Sequence, residues 1–342
     1  MPQSAADPAA AGEATPDVSV VVPIYDEQEN LPELAARLRA VLEPLDLSYE
    51  VVFVNDGSRD ASLECMRELR AADARIKIVD FSRNFGHQIA VSAGLDHARG
   101  RAVVVMDGDL QDPPDVLPRL IERWREGYDV VYAVRRQRKE SLPLRIAYHV
   151  FYRLARRMAP IDLPLDAGDF SLMDRRVVDE IVRLPERNRF VRGLRAWVGF
   201  RQTGVEYERA ERYAGKPKYT LSRLFVLAYD GIFSFSDVPV RVARDMGLVI
   251  TAGAALLAAW TLFKRVVHHQ VVPGFATITL LVLFFGGVQL VTVGVLGEYI
   301  ARIYTEVKGR PLYVVRSLEG VEPPRHGAAR ASGARGAEGG AE

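Results

Sequence analysis

Four times in the first 135 residues a short run of β-branched, apolar residues gives way to a stretch with helical apolar spacing, and no other feature restricts the fold as much. Val18 to Val22 is too short for a helix and is bounded by Pro23, so it reads as a buried strand. Leu31, Leu34, Leu38, Val41, Leu42 and Leu45 then recur at helical intervals, with Asn30 as the expected cap and Glu33 three residues on. The pattern repeats with strands at Glu50 to Val54, Ile76 to Asp80, Ala102 to Met106 and Asp129 to Val134, and with helices at Ser62 to Ala71, His87 to Ala98 and Asp115 to Arg125. Such alternation predicts an α/β fold whose sheet is mostly parallel and covered on both faces.

Ligands of such sheets bind beyond the carboxyl ends of the strands. The unusual polar residues fall there: Pro23-Ile24-Tyr25-Asp26-Glu27, Asn55-Asp56-Gly57-Ser58, Ser82-Arg83-Asn84, Asp107-Gly108-Asp109-Leu110-Gln111-Asp112-Pro113-Pro114, and Arg135, Arg136 and Arg138. Any one of these reads equally well as turn chemistry or a solvated loop. Their joint placement on one edge predicts a binding crevice. On an extended backbone Asp107 and Asp109 aim two carboxylates at one point, while Gly108 lets another molecule approach closely. Two hard oxygen ligands suit Mg²⁺ or Mn²⁺ carrying a phosphorylated substrate. No Gly-x-Gly-x-x-Gly follows the first strand and no Walker-type Gly-Lys-Ser/Thr is present, so neither a dinucleotide oxidoreductase nor a P-loop ATPase is supported.

A formal net charge of +1 argues against bulk electrostatic binding to nucleic acid. Cys65 is the one cysteine, as expected on a reducing, cytosolic side. Residues 1–16, rich in Ala, Pro, Asp and Glu, read as a disordered leader. Met246 to Phe263 and Val271 to Gly297 carry no charge, and each is long enough to cross a bilayer core of about 30 Å as a helix. A hairpin over 241–310, with spans near 246–266 and 273–297, would put both flanks on one side. Arg241, Arg244, Arg302, Lys308 and Arg310 mark that side as cytoplasmic, against Lys264 and Arg265 in the connecting loop. Glycines in the spans offer a surface for self-association. Segments near 142–158, basic on one helical face, and 220–236, apolar nearly all round, are expected to lie at the membrane interface of a domain covering 17–240. Residues 311–342 are expected to be a mostly disordered, Gly/Ala-rich tail.

Val21-Val22-Pro23-Ile24-Tyr25-Asp26-Glu27, Val54-Asn55-Asp56-Gly57-Ser58, Ser82-Arg83-Asn84-Phe85-Gly86-His87-Gln88 and the Asp107 to Pro114 stretch together resemble the family 2 glycosyltransferases. The resemblance is to their polyprenyl-phosphate branch, relatives of dolichol-phosphate mannose synthase. It continues through Ala167 to Arg176, Arg192 to Phe200 and Arg212 to Tyr219, where Pro217 stands in place of the family's usual Ser. It implies a GT-A domain (a Rossmann-like, mostly parallel α/β sheet), interfacial helices and a two-helix transmembrane hairpin in the plasma membrane. The implied donor is a nucleotide sugar, the acceptor a polyprenyl phosphate, and the cofactor Mg²⁺ or Mn²⁺.

By that resemblance Asp56 holds the base, Pro23, Tyr25 and Glu27 line the nucleoside pocket, and Gly108 and Gln111 lie near the sugar. Asp109 is the expected metal ligand, and Asp107 binds metal or the donor ribose. Asp169 is expected at the reacting centre as base or orienting carboxylate, with Arg135, Arg138, Arg209, Arg212 and Lys218 to hold the lipid phosphate. A phosphate nucleophile is already ionised at neutral pH and has little need of a base. The implied reaction is inverting transfer of one hexose, glucose from UDP-glucose, to undecaprenyl phosphate. A GDP-mannose-dependent mannosyltransferase and a non-catalytic membrane scaffold are the alternatives. A processive polysaccharide synthase fits less well, because Arg192-Gly-Leu-Arg195-Ala-Trp197 lacks the Gln-x-x-Arg-Trp spacing.

Overall fold

The structure, a computed structural model, describes residues 15–135, 167–208, 238–268 and 274–322. Arg136, Arg138, Arg209, Arg212 and Lys218, both expected interfacial segments and nearly all of the leader lie outside the described residues. The chain divides into two units: Met1–Leu142 with Leu163–Lys218 and Arg310–Glu342, and Pro143–Asp162 with Tyr219–Gly309.

The first unit is built on an eight-stranded sheet in the order β7-β5-β6-β4-β1-β2-β3-β8. Its strands are β1 (Val18–Ile24), β2 (Tyr49–Asn55), β3 (Ile76–Phe81), β4 (Ala102–Val105), β5 (Val130–Arg135), β6 (Ala167–Asp174), β7 (Gln202–Tyr207) and β8 (Val315–Glu319). The first five match the expected runs. β1 pairs in parallel with β2 and β4, β2 with β3, and β5 with β7. β6 runs antiparallel between β4 and β5, and β8 runs antiparallel along β3. Six strands therefore point one way, so their carboxyl ends share one edge with the start of β6.

Alternating side chains of β1 serve two faces, as strand geometry requires. Val18, Val20, Val22 and Ile24 pack with Leu31, Leu34 and Leu38 of α1 (Leu31–Leu42) and with Leu117 and Leu120 of α4 (Leu117–Arg125). Val21 faces α3 (His87–His97), where a Cβ on Gly94 would overlap the Val21 side chain, so glycine lets helix and sheet close up. α2 (Ser62–Ala72) packs beside α1, α5 (Arg175–Arg183) and α6 (Val191–Trp197) beside α3. Each Val or Leu taken wholly from water here contributes about 1.5–3 kcal/mol.

Two expectations change. Asn30 makes no capping bond to α1; its side-chain amide donates to Glu27 Oε2 (2.6 Å), while Glu33 pairs with Arg37. The stretch from Ser317, expected to begin a loose tail, is instead paired as β8 to the sheet edge.

The second unit's described part is a pair of packed helices, α7 (Val238–His268) and α8 (Phe275–Val307). At about 1.5 Å per residue each exceeds a bilayer core in length. Leu256, Trp260, Leu290 and Ile300 are more than half exposed. Among the described residues one stretch, Phe284–Val307, is long and apolar enough to cross a membrane.

Candidate active site

Sheet register brings the site together before any side chain is considered. Ile24 pairs with Asn55, and Asn55 with Asp80, so the loops after β1, β2 and β3 start level. Antiparallel pairing sets Val105 against Ser171, and continuing that register by two residues places Asp107 opposite Asp169.

On the β2–β3 side the loops are stapled through their backbones. Asp56, almost wholly buried, accepts from Phe85 N through Oδ1 (2.6 Å) and from Gly86 N through Oδ2 (3.0 Å). Burial pushes its carboxyl up, against the pull of those two N–H groups. Asn55 Nδ2 donates to Asp80 Oδ1 (2.7 Å), and Ser58 N returns a bond to Asn55 Oδ1 (3.1 Å). Gly57, at φ +66°, lies against the backbone of Arg83 and Asn84, where a Cβ would overlap. From the β1 side Asp26 N donates to Ser58 Oγ (3.1 Å) and Glu27 N to Ser62 Oγ (3.0 Å). Tyr25 and Glu27 remain partly exposed at this edge, whereas Pro23 is buried within β1. Asp56, expected to hold the base, accepts through both oxygens from the neighbouring loop.

On the β4–β6 side charge takes the place of backbone staples. Gly108 is buried, and a Cβ there would come within 2.6 Å of Ile24 Cδ1. Glycine here lets the loop lie close against β1. Leu110, 2% exposed, is held at φ +59°, a strained backbone for a residue with a side chain. Gln111 N donates to Asp109 Oδ1 (3.2 Å), which tightens this turn. Buried Asp112 accepts from Tyr207 of β7 (2.7 Å) and fixes the far end of the loop.

Asp169 stands in β6; the helix cap is Asp174, which accepts from Arg176 N (3.0 Å). Asp169 Oδ2 accepts from Gln88 Nε2 (3.0 Å) and lies 3.4 Å from His87 Nε2. Its buried Oδ1 receives no hydrogen bond, with Arg192 Nε 4.0 Å away. Burial acts to raise this carboxyl, but the His87 hydrogen bond and the Arg192 and Arg195 charges hold it well below the usual range. Desolvation works against the His87 charge, yet Asp169 and Asp107, the latter 3.7 Å away, raise its pKa to about 9. Asp107 is raised to about 7 by desolvation, which with the nearby Asp112, Asp169 and Asp109 outweighs His87. Arg195, 2% exposed, is lowered to about 10 by burial, against the attraction of Asp169.

No three acidic or histidine side chains converge as a closed cation site among the described residues. The donor set fits a different kind of site, in which Mg²⁺ or Mn²⁺ takes one or two carboxylates from the protein and the rest from substrate phosphates and water. The desolvation and neighbouring carboxylates that raise Asp107 are what a bound cation would offset.

His87, Gln88, Arg192 and Arg195 carry no role in the sequence reading. The Phe-Gly-His-Gln stretch opening α3 at the crevice edge was the available signal. Arg135 ends β5 level with Tyr207 on the same edge.

Comparison with known proteins adds the family. The family described as "Glycosyl transferase family 2" matches residues 19–182. The chain is 48% identical over 308 residues to "Uncharacterized glycosyltransferase YkcC" of Bacillus subtilis (strain 168), across 90% of this chain and 95% of that protein. It is 43% identical over 300 residues to "SfII prophage-derived bactoprenol glucosyl transferase" of Shigella flexneri, across 87% and 97%. It is 40% identical over 303 residues to "Prophage bactoprenol glucosyl transferase homolog" of Escherichia coli (strain K12), across 88% and 99%.

Proposed function

We propose a reaction for this chain, which belongs to glycosyl transferase family 2: inverting transfer of one glucose from UDP-glucose to undecaprenyl or another polyprenyl phosphate. The observation that carries the reading is Asp169, brought beside Asp107 by the β4–β6 register, with one buried oxygen that receives no hydrogen bond. The relatives named bactoprenol glucosyl transferase support the choice of sugar and lipid.

A phosphate oxygen of the lipid attacks the anomeric carbon from the face opposite the nucleotide. The new C–O bond forms as the bond to the β-phosphate oxygen breaks, and that electron pair leaves with the diphosphate. Mg²⁺ or Mn²⁺, held by Asp107 and Asp109, would supply positive charge where this negative charge develops. Asp169 orients rather than deprotonates. One of its oxygens is already occupied by Gln88 and His87, and a carboxylate so stabilised is a weak base. Its Oδ1, which receives no hydrogen bond, is the proposed acceptor for a hydroxyl of the sugar or of a singly protonated acceptor phosphate. Arg135, Arg138, Arg209, Arg212 and Lys218 are the proposed phosphate-holding cations, and Tyr25, Glu27 and the Asp56 loop the nucleotide side.

The pair α7 and α8 forms the proposed two-span hairpin, near 246–266 and 273–297, with the catalytic unit on the cytoplasmic side. Exposed apolar side chains along both helices support it. Purified protein given radiolabelled UDP-glucose, Mn²⁺ and undecaprenyl phosphate should move label into the organic phase. Label entering from GDP-mannose instead would correct the donor, and no transfer from either would favour the scaffold alternative.

A further inference from the structure

The chain leaves α8 at Val307 and re-enters the sheet as β8, and what it does there reaches the crevice. Tyr313 is fully buried, its ring stacked on Phe81 with centroids 5.0 Å apart and planes at 21°. Its hydroxyl donates to Asp96 Oδ2 of α3 (2.9 Å). Phe81 in turn meets Phe85 edge-on (5.6 Å, 86°), and the backbone N–H of Phe85 is the one that binds Asp56. Two further bonds hold the start of the same loop: Ser82 N donates to Val314 O (2.9 Å), and Arg316 Nη2 donates to Ser82 O (2.9 Å). His97 Nδ1 lies 3.1 Å from Glu322 O, a second contact of the segment with the C-terminal end of α3.

We infer that Tyr313 is a positioning residue for nucleotide-sugar binding: the segment from Arg310 to Glu322 holds the Ser82–Gly86 loop, and through it the Asp56 carboxylate, in the donor-binding arrangement. The inference rests on the reading of the Asp56 edge as the nucleotide side. Within the loop Arg83 Nη1 donates to Asn84 O (2.8 Å) and the Arg83 guanidinium lies 4.0 Å over the Phe85 ring, contacts that leave its start to be fixed from outside. Its first residue is bound on both backbone groups by the returning segment, and its aromatic member rests on a ring that Tyr313 backs. Stacked and edge-on aromatic contacts add about 0.5–1.5 kcal/mol each beyond area burial. A loop that closes over a ligand is sensitive to free energies of that size, because about 1.4 kcal/mol is tenfold in affinity.

The test is steady-state kinetics of the full-length enzyme in detergent with UDP-glucose and undecaprenyl phosphate, beside UDP-glucose binding by calorimetry with Mn²⁺. Tyr313→Ala should raise the donor KM and Kd about tenfold and leave the acceptor KM within about twofold. Tyr313→Phe keeps the ring stack and loses the Asp96 bond, so it should restore donor affinity to within about twofold of the starting protein. Arg316→Ala removes an exposed side chain and should fold whatever Tyr313→Ala does; it should raise the donor KM about threefold, as loss of one hydrogen bond predicts. Val178→Ala on α5 lowers stability without touching this segment and should leave the donor KM unchanged. If the starting protein binds UDP-glucose and Arg316→Ala or a folded Tyr313→Ala binds it equally well, or if donor and acceptor KM rise together, the inference is overturned while the enzymatic reading stands. Failure of the starting protein to bind any nucleotide sugar removes the enzymatic reading and this inference with it.

Discussion

The two halves of the crevice edge are held by different forces. Around Asp56 the loops are fixed by backbone N–H groups, a tight glycine and aromatic contacts, and both oxygens of Asp56 are engaged by its own protein. Around Asp107 and Asp169 carboxylates, a histidine and two arginines crowd together, and one buried Asp169 oxygen receives no hydrogen bond. A backbone-stapled loop gives shape that does not depend on charge. A cluster of uncompensated charges gives little shape and large electrostatic response. The difference assigns recognition to the first half and charge stabilisation to the second, and substitutions in the two halves should separate KM from kcat accordingly.

Asp109→Asn tests the second half most severely. With one of two proposed cation ligands gone, product formation at saturating UDP-glucose should fall by about 10³ or more, and excess chelator should abolish activity of the unsubstituted enzyme. Full turnover in either case would remove the metal assignment. Asp169→Asn is isosteric but reverses one contact, setting an amide against Gln88 or Arg192. A kcat loss of about 10²–10³, with donor KM little changed, is expected from removing one preorganised charge. Near-normal kcat would show that the acceptor phosphate reacts without this carboxylate.

Gln88→Ala sharpens the contrast at smaller scale. The Gln88 side chain spans two elements, donating to Asp169 and accepting from Val191 N (2.9 Å), so it fixes the Asp169 carboxylate against the helix bearing Arg192 and Arg195. Its loss should lower kcat about tenfold, with Gln88→Glu failing to restore it because a second carboxylate would face Asp169. An unchanged kcat would mean that His87 and the arginines suffice to hold Asp169.

How much of this was legible follows the same division. Five of the six parallel strands show as apolar runs in the sequence because they lie largely buried in the sheet, and Asp56 and Asp107 stand out because they follow those runs directly. β6 did not, since Ala167-Gly168-Asp169-Phe170-Ser171-Leu172-Met173-Asp174 has glycine and two aspartates where a strand pattern expects apolar residues. It is a strand because β4 and β5 flank it on both sides, a tertiary cause that local pattern cannot reveal. β8 was read as tail for a related reason: an edge strand of five residues, with Arg316, Ser317 and Glu319 in it, looks like solvated chain until its partner is known. His87 and Gln88 went unassigned because their roles exist only once the β4–β6 register has placed Asp169 beside them. At Gly108 smallness is legible in the sequence, but not the neighbour it serves in the fold, where an added Cβ would meet Ile24.

The smallest expected effect falls on the stapled half, and it discriminates because it should change binding more than chemistry. Gly57 has φ +66°, and an added Cβ would enter the backbone of Arg83 and Asn84. Neither obstacle is the movable end of a side chain, so Gly57→Ala must shift the Ser82–Gly86 loop or strain its own backbone, at about 1–3 kcal/mol. Thermal unfolding should register that cost as a lowered midpoint. Loss of alignment between Asp56 and the Phe85 and Gly86 N–H groups should raise the donor KM a few-fold, about what one weakened hydrogen bond contributes. Turnover at saturating donor should fall by less than that of Gln88→Ala, because Asp107 and Asp169 lie on other strands, and His87 and Gln88, which follow the shifted loop, are also held from the Asp169 side. A fall in kcat as large as that of Gln88→Ala, with the donor KM unmoved, would show that the two halves are one mechanical unit and that the separation of recognition from charge stabilisation is wrong.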